Sequence, residues 1–374
     1  RRRRRLALRL GCPYAEAAAL EAALRRALAV DDAAPVQWAD FHAMDWDLLL
    51  AAGGHRRRCS CLYLRAGLVR KAMLAHYMTK RKVAGVLPEG LVLDLEDEDD
   101  LADLRRRLEE WQAKLVTGDG PGSDSGLPIW IAKASCSNRG EHIFLACSAD
   151  EVIRPLRTAV LEEGIPEWVV QRYISSPVLV RGRKFHVRAH FLVNGCPHCG
   201  KTSAWLHGTG HVVLLAGDDY RPHSTDRLSH LTNHCIQMTH AGYDEEFQTL
   251  LLSELDAATN RAGLAATVES QMRSALAEAL ASAASAPAGF APLPQCFELF
   301  GADFVLEDRG AADPGVWLLE VNSGPDLAVF GSRLRPRCVD LLEDVLRVAV
   351  EPYLDGGAGA FAEPGACGCA ARAL

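Results

Sequence analysis

Two apolar runs late in the 374-residue chain, residues 297–304 and 317–322, are buried-strand material that carries acidic and amide groups a buried strand should avoid. Glu320 and Asn322 stand two apart, so on a strand they share one face. Asp303 lies in the preceding run, and the turn-rich residues 308–314 make the two runs a hairpin. Three oxygen-bearing side chains on one sheet face suit a hard cation such as Mg2+, which keeps waters and shares its ligation with substrate phosphates. Read alone, the same runs are equally well two ordinary strands with polar residues at their edges.

The length supports two or three packed subdomains. A net charge of -7 argues against a nucleic-acid binder that works through bulk charge, so no sequence-specific nucleic acid is expected as a partner. No apolar run is long enough to span a bilayer and no apolar signal core follows the N-terminal arginines, so no membrane partner is expected either. The chain begins at Arg1, reads as a fragment or trimmed chain, and is expected to be cytoplasmic, with an association to the cytoskeleton. Cys136, Cys147, Cys235 and Cys296 stand singly in apolar segments, as thiols of a reducing cytosol do. Cys196 and Cys199 have the spacing of a zinc half-site, but Cys59/Cys61 and Cys367/Cys369 are too far off in sequence to complete it by spacing. A hairpin turn with two thiols is the plainer explanation.

The expected organisation is a basic N-terminal region (1–90), a central lobe (91–180), a C-terminal lobe (181–354) and a disordered tail (355–374). In the first region residues 16–30 and 62–81 are helix-prone. Arg56, Arg57, Arg58, Arg65, Arg70, Lys71, Lys80, Arg81 and Lys82 are either a solvated helix face or a landing surface for an acidic polymer. A helix carrying Leu101, Leu104, Leu108, Trp111 and Leu115 precedes a Gly-rich boundary loop at 118–126. From Pro128 onward strands are expected at 130–133, 143–146, 168–173 and 185–193. Ser148 with Glu151 caps a helix to about residue 163. Further helices are expected at 244–260, 266–284 and 336–350, and residues 281–294 read as a surface insertion rich in Ala and Pro.

Lys133 ends a strand and precedes a small polar loop, an arrangement suited to phosphate, although one glycine makes it weak as a glycine-rich signature. The apolar strand ending in Gln171, Arg172 and Tyr173 can offer backbone groups to a purine. Lys184, His186 and Arg188 fall on one strand face by period two, and such a row calls for an anion, most naturally a polyphosphate. Residues 230–235 add His230, Thr232, Asn233 and His234 as hydrogen-bonding groups. In order, these are the parts of an ATP-grasp ligase, an α+β fold whose two lobes hold ATP.

The segments Trp130-Ile-Ala-Lys133, Val170-Gln-Arg-Tyr173, Arg183-Lys-Phe185 with Arg188, His230 through Gln237, Phe297 through Gly301 with Asp303, and Leu319-Glu-Val-Asn322 resemble the tubulin–tyrosine ligase family over about residues 128–354, with weaker similarity at 62–77. The resemblance implies that Lys133 and Lys184 hold ATP phosphates and that Gln171, Arg172 and Tyr173 cradle adenine. Asp303, Glu320 and Asn322 would hold Mg2+. Arg188 would stabilise the transferring phosphoryl group, and Asn233 would position phosphate or the acceptor carboxylate. It further implies phosphorylation of a protein carboxylate, then amide formation with a free amino acid, tyrosine on the tubulin C-terminal tail being favoured. Glutamate or glycine as donor, a non-tubulin acceptor, and a nucleotide-binding scaffold without turnover are the alternatives. Two departures stand out. His186 replaces an aspartate, as in a fungal branch linked to mRNA-processing bodies. Residues 204–216 contain no arginine, and Thr209 falls near the place where the family often has one.

Overall fold

In a computed structural model, the described residues are 6–11, 28–29, 36–39, 41–51, 57–117, 129–137, 140–196, 200–239, 241–310 and 313–350. The expected tail, the loop at 118–126, Arg56, Cys199, Cys367 and Cys369 lie outside them. A small parallel sheet has the order Leu28–Ala29, Leu6–Gly11, Val36–Ala39, Arg58–Cys59. Of the helix-prone residues 16–30, only Leu28–Ala29 is described, and it is a strand. Its pairing with Leu6 and Ala7 overrides alanine's helical preference.

An antiparallel sheet follows, in the order Gly90–Asp94, Glu167–Arg172, Trp130–Ala134, Ile143–Ala146. Helix Glu98–Thr117 starts with three acidic residues, which suit the positive end of its dipole, and Asp97 caps the N–H groups of Asp99 and Asp100. Its Leu101, Leu104 and Leu108 are buried with Trp130 and Trp168, as the sequence spacing predicts. Complete burial of one such leucine is worth about 2 kcal/mol. Helix Ala149–Leu161 packs into the same core. Ser148 accepts the Glu151 N–H as expected, while the Glu151 carboxylate takes the Cys147 N–H.

The large sheet is antiparallel, in the order Thr249–Leu251, Val212–Leu215, Arg183–Gly195, Phe297–Glu307, Gly315–Ser323. Helix Leu264–Ala284 shares a core with Val187, Ala189, Phe191 and Phe300 on one face. Helix Arg335–Ala349 shares another with Leu192 and Leu299 on the opposite face. The long strand therefore has its odd-numbered residues from Phe185 to Val193 in the core shared with helix Leu264–Ala284. Its even-numbered face is covered only at the far end, and Lys184 and His186 open onto a cleft.

Three expectations are corrected. Residues 244–260 are not one helix, because Thr249–Leu251 joins the ladder of Val212–Leu215 and divides it. Residues 281–294 are not a surface insertion. Ala283 and Phe290 are buried, and the Gly289 carbonyl accepts the Gly67 N–H at 2.7 Å. The basic N-terminal run is largely used inside the fold. Arg58 is buried, donating to the carbonyls of Gly195, Pro294 and Ala349, and Arg65 pairs with buried Glu298. Lys80, Arg81 and Lys82 stay exposed.

Candidate active site

The two antiparallel sheets face each other across a cleft of about 710 Å³, part of it open to solvent. The smaller sheet contributes Ile131, Lys133, Ile143 and Gln171, followed by Tyr173 and Ile174. The larger contributes Lys184, His186, Asp303, Val305, Leu319 and Glu320, and residues 230–233 close one side. Lys133, Gln171, Arg172, Tyr173, Lys184, His186, Asn233, Asp303 and Glu320, all expected from sequence, thus line one cavity. Arg188 and Asn322 adjoin it through Asp303 and Glu320.

Strand register brings the acidic groups together. Asp303 pairs with Glu320 on one side and with Arg188 on the other, and Gly301 pairs with Asn322. The ladder shifts register just after Asp303. A methyl group at 301 would lie 2.9 Å from Pro325 Cβ and 3.5 Å from Arg188 Cδ, so glycine there lets the arginine lie flat toward Asp303. Arg188 grips Asp303 with both arms at 2.8 Å. Burial would raise the Asp303 carboxyl, but the Arg188 charge and then His186 overcome it and hold it at about 2. The Asn322 amide nitrogen donates at 3.3 Å to both Asp303 Oδ2 and Glu320 Oε1. The two carboxylates and the amide therefore meet at one point, and the amide, turned over to present its oxygen, would complete an oxygen donor set for a hard cation. Among the described residues no group of three or more His, Cys, Asp or Glu is arranged to hold a metal, so a cation here would depend on that amide as third donor.

The row Lys184, His186, Arg188 does not need an external anion to stand. Burial, then the Lys133 charge, lowers Lys184 to about 7. Burial lowers His186 to about 4, leaving it neutral, and Arg188 has its anion in Asp303. His186 Nδ1 lies 2.7 Å from Thr232 Oγ1, and its Nε2 lies 3.7 Å from Asp303 with no hydrogen-bond partner among the described residues. Burial also lowers Lys133 to about 8, partly opposed by Glu320. Lys133 donates to Gln171 at 3.3 Å and Lys184 to the Tyr173 hydroxyl at 2.7 Å, which in turn lies 2.6 Å from His230 Nδ1.

The strand expected to offer its edge to a purine is instead an interior one, paired on both sides. The Arg172 and Tyr173 N–H groups are taken by the carbonyls of Glu89 and Ile129. The Arg172 side chain is held by Glu307 at 2.7 Å. What the cleft offers a flat ring is two apolar walls, Ile131 and Ile143 opposite Val305 and Leu319.

Sequence reasoning missed these walls, and it missed Lys71. That residue reaches from helix Lys71–Lys80 to Glu320 at 3.0 Å and to the Ser137 carbonyl of the Lys133 loop at 3.0 Å. Its signal was hidden in a run of basic residues. Thr209 lies in the turn before Val212–Leu215, whereas the residue of that strand directly opposite His186 is Leu214.

Comparison with known proteins places this geometry. The family model described as "Tubulin-tyrosine ligase family" matches residues 69–356. A probable tubulin--tyrosine ligase of Schizosaccharomyces pombe is 26% identical over 85% of this chain and 83% of its own length. The human "Inactive polyglycylase TTLL10" is 32% identical over 60% of this chain, and the zebrafish (Danio rerio) "Tubulin monoglycylase TTLL3" is 29% identical over 61%. The matches span only 35% and 30% of those two proteins. Among solved structures, the C-terminal domain from K. lactis Pby1, described as an ATP-grasp enzyme interacting with the mRNA decapping enzyme Dcp2, superposes with a TM-score of 0.62. It is 22% identical and covers 93% of this chain and 94% of its own. The α+β architecture is thus the ATP-grasp fold.

Proposed function

The chain belongs to the tubulin-tyrosine ligase family, and from that premise we propose that it is an ATP- and Mg2+-dependent ligase that joins an amino acid to a protein carboxylate through an acyl phosphate. One observation carries this: two buried lysines on one lobe and its neighbour face a carboxylate–carboxylate–amide set across a single cleft with apolar walls. In this reading the flat ring of ATP lies between Ile131 and Leu319. Lys133 and Lys184 take the phosphates, each regaining its proton as the anion arrives. Mg2+, when bound at Asp303, Glu320 and the oxygen of the Asn322 amide, supplies charge neutralisation to the phosphates.

The chain's own groups position the transfer. Arg188, held flat by Asp303, presents cationic N–H groups beside the phosphate end. His186 is neutral. A carboxylate lies 3.7 Å from its Nε2, which favours an N–H at that nitrogen and leaves Nδ1 to accept from Thr232. It therefore acts as a donor to an anion and not as a base. Asn233 stands at the Gly140 turn of the Lys133 loop, where it can orient phosphate or the acceptor.

The acceptor proposed is the acidic tubulin tail, in the cytoplasm, with the exposed Lys80 and Lys82 available to meet it. Tyrosine is the first candidate donor. Glycine is the second, since two of the relatives above are named for glycylation. Purified chain incubated with Mg·ATP, detyrosinated tubulin and labelled tyrosine, glycine or glutamate tests this. ATP-dependent label in tubulin supports it, and ATP binding without incorporation from any donor counts against it.

A further inference from the structure

The open face of the large sheet continues past the nucleotide cleft into a second, narrower recess of about 180 Å³, part of it open to solvent, and Thr232 lines both. Register makes the connection, because His186 pairs with Leu214 and Leu214 with Thr249. One row of side chains therefore crosses three strands from cleft to recess. His234, Gln237 and Tyr243 line the other side, and no lysine or arginine is among the described residues around it.

Three groups stand in series here. The Tyr243 hydroxyl lies 2.9 Å from His234 Nε2, and His234 Nδ1 lies 3.9 Å from Asp326 Oδ2. Asp326 is fixed by accepting the Ala328 N–H at 3.0 Å, and His234 beside it, with Arg188 further off, holds its carboxyl below the usual range. A carboxylate at Nδ1 favours the proton there, so Nε2 accepts from Tyr243. The groups facing this series are Asp326 from the turn after the acidic hairpin, Tyr243 with Asp244 and Glu245 beside it, and neutral His186 and Arg188 from the long strand.

We infer that this recess receives the amine nucleophile, and that Tyr243, His234 and Asp326 remove its proton; the inference rests on the ligase function proposed above. The ammonium passes one proton to the Tyr243 oxygen as the Tyr243 proton moves to His234 Nε2, and Asp326 stabilises the resulting imidazolium. The amine nitrogen then bonds to the acyl carbon while the C–O bond to phosphate breaks, and the second nitrogen proton leaves with the phosphate. Tyr243 touches the amine, whereas His234 and Asp326 act through it.

Hydroxylamine separates this role from every other. It is uncharged near neutrality and traps an acyl phosphate as a hydroxamate without losing a proton first. The full chain, Mg·ATP and detyrosinated tubulin are assayed in parallel with labelled tyrosine or glycine and with hydroxylamine. In Tyr243→Phe, and again in His234→Asn, amide formation should fall about a hundredfold, the usual size of general-base assistance, while hydroxamate stays within about twofold. Asp326→Asn should also spare hydroxamate and move the rising pH limb of amide formation. Equal loss of both products in Tyr243→Phe, or loss of neither, overturns the assignment. A wild-type chain that makes neither product overturns the ligase function itself, and the assignment with it.

Discussion

Binding of ATP should draw protons into the protein, because the two lysines that would meet its phosphates are buried. Among the described residues the Lys184 ammonium meets the Tyr173 hydroxyl at 2.7 Å and the Tyr173 ring, whose centroid is 4.2 Å away. Burial and then the Lys133 charge bring it to about 7, and burial brings Lys133 to about 8. At pH 8.5 the free protein therefore holds about 0.03 proton on Lys184 and about 0.25 on Lys133. If bound phosphates restore both to ordinary lysines, binding takes up about 1.7 protons. The complex then holds more protons than the free protein, so affinity must fall as pH rises, by about tenfold per pH unit for each proton taken up. The unfolded chain likewise holds more lysine protons than the free fold above pH 7, so the stability of the free protein rises from there toward the ordinary lysine range. Titration calorimetry at pH 8.5 in buffers of different ionisation enthalpy measures the uptake directly, at a pH where the phosphates of ATP are already ionised. Lys184→Met should remove about one proton of it. Heats independent of the buffer, or an affinity unchanged between pH 8 and 9.5, would refute the reasoning.

Asp303→Asn leaves the buried Arg188 charge without its partner and should destabilise the fold by about 3–5 kcal/mol, read as a lower urea midpoint with unchanged slope; an unmoved midpoint contradicts the pair. Glu320→Gln should abolish turnover while leaving the folded state intact, as judged by circular dichroism, and a wild-type rate would sink the cation assignment. Gly140 has φ +76, and a methyl group there would lie 2.5 Å from Ile236 Cδ1. Gly140→Ala should cost about 1 kcal/mol, seen as roughly fivefold weaker ATP binding if that loop holds phosphate; unchanged binding would detach the loop from the nucleotide.

Much of the cleft was legible because strand periodicity is rigid. Asp303, Glu320 and Asn322 share a face for the same reason as Lys184, His186 and Arg188, and the ladder then sets the two rows side by side. Partners across long sequence separations were not legible. Nothing local tells that Lys71 pairs with Glu320, that Arg58 is buried against Ala349, or that residues 281–294 support Gly67. A basic run reads as solvated surface until the acids that meet it are placed. Pairing was also decisive where propensity misled, as at Thr249–Leu251, whose apolar residues fit either a helix or a ladder. The strand carrying Gln171, Arg172 and Tyr173 does line the cleft, but as an interior strand, since sequence does not tell an interior strand from an edge.

ATP-driven amide formation at a protein carboxylate is tested most directly by incorporation of labelled amino acid into detyrosinated tubulin by the purified chain. Label that depends on both Mg2+ and ATP, and that disappears in Glu320→Gln, is the expected result. Tight ATP binding with no label from tyrosine, glycine or glutamate, and no hydroxamate in their place, would contradict it.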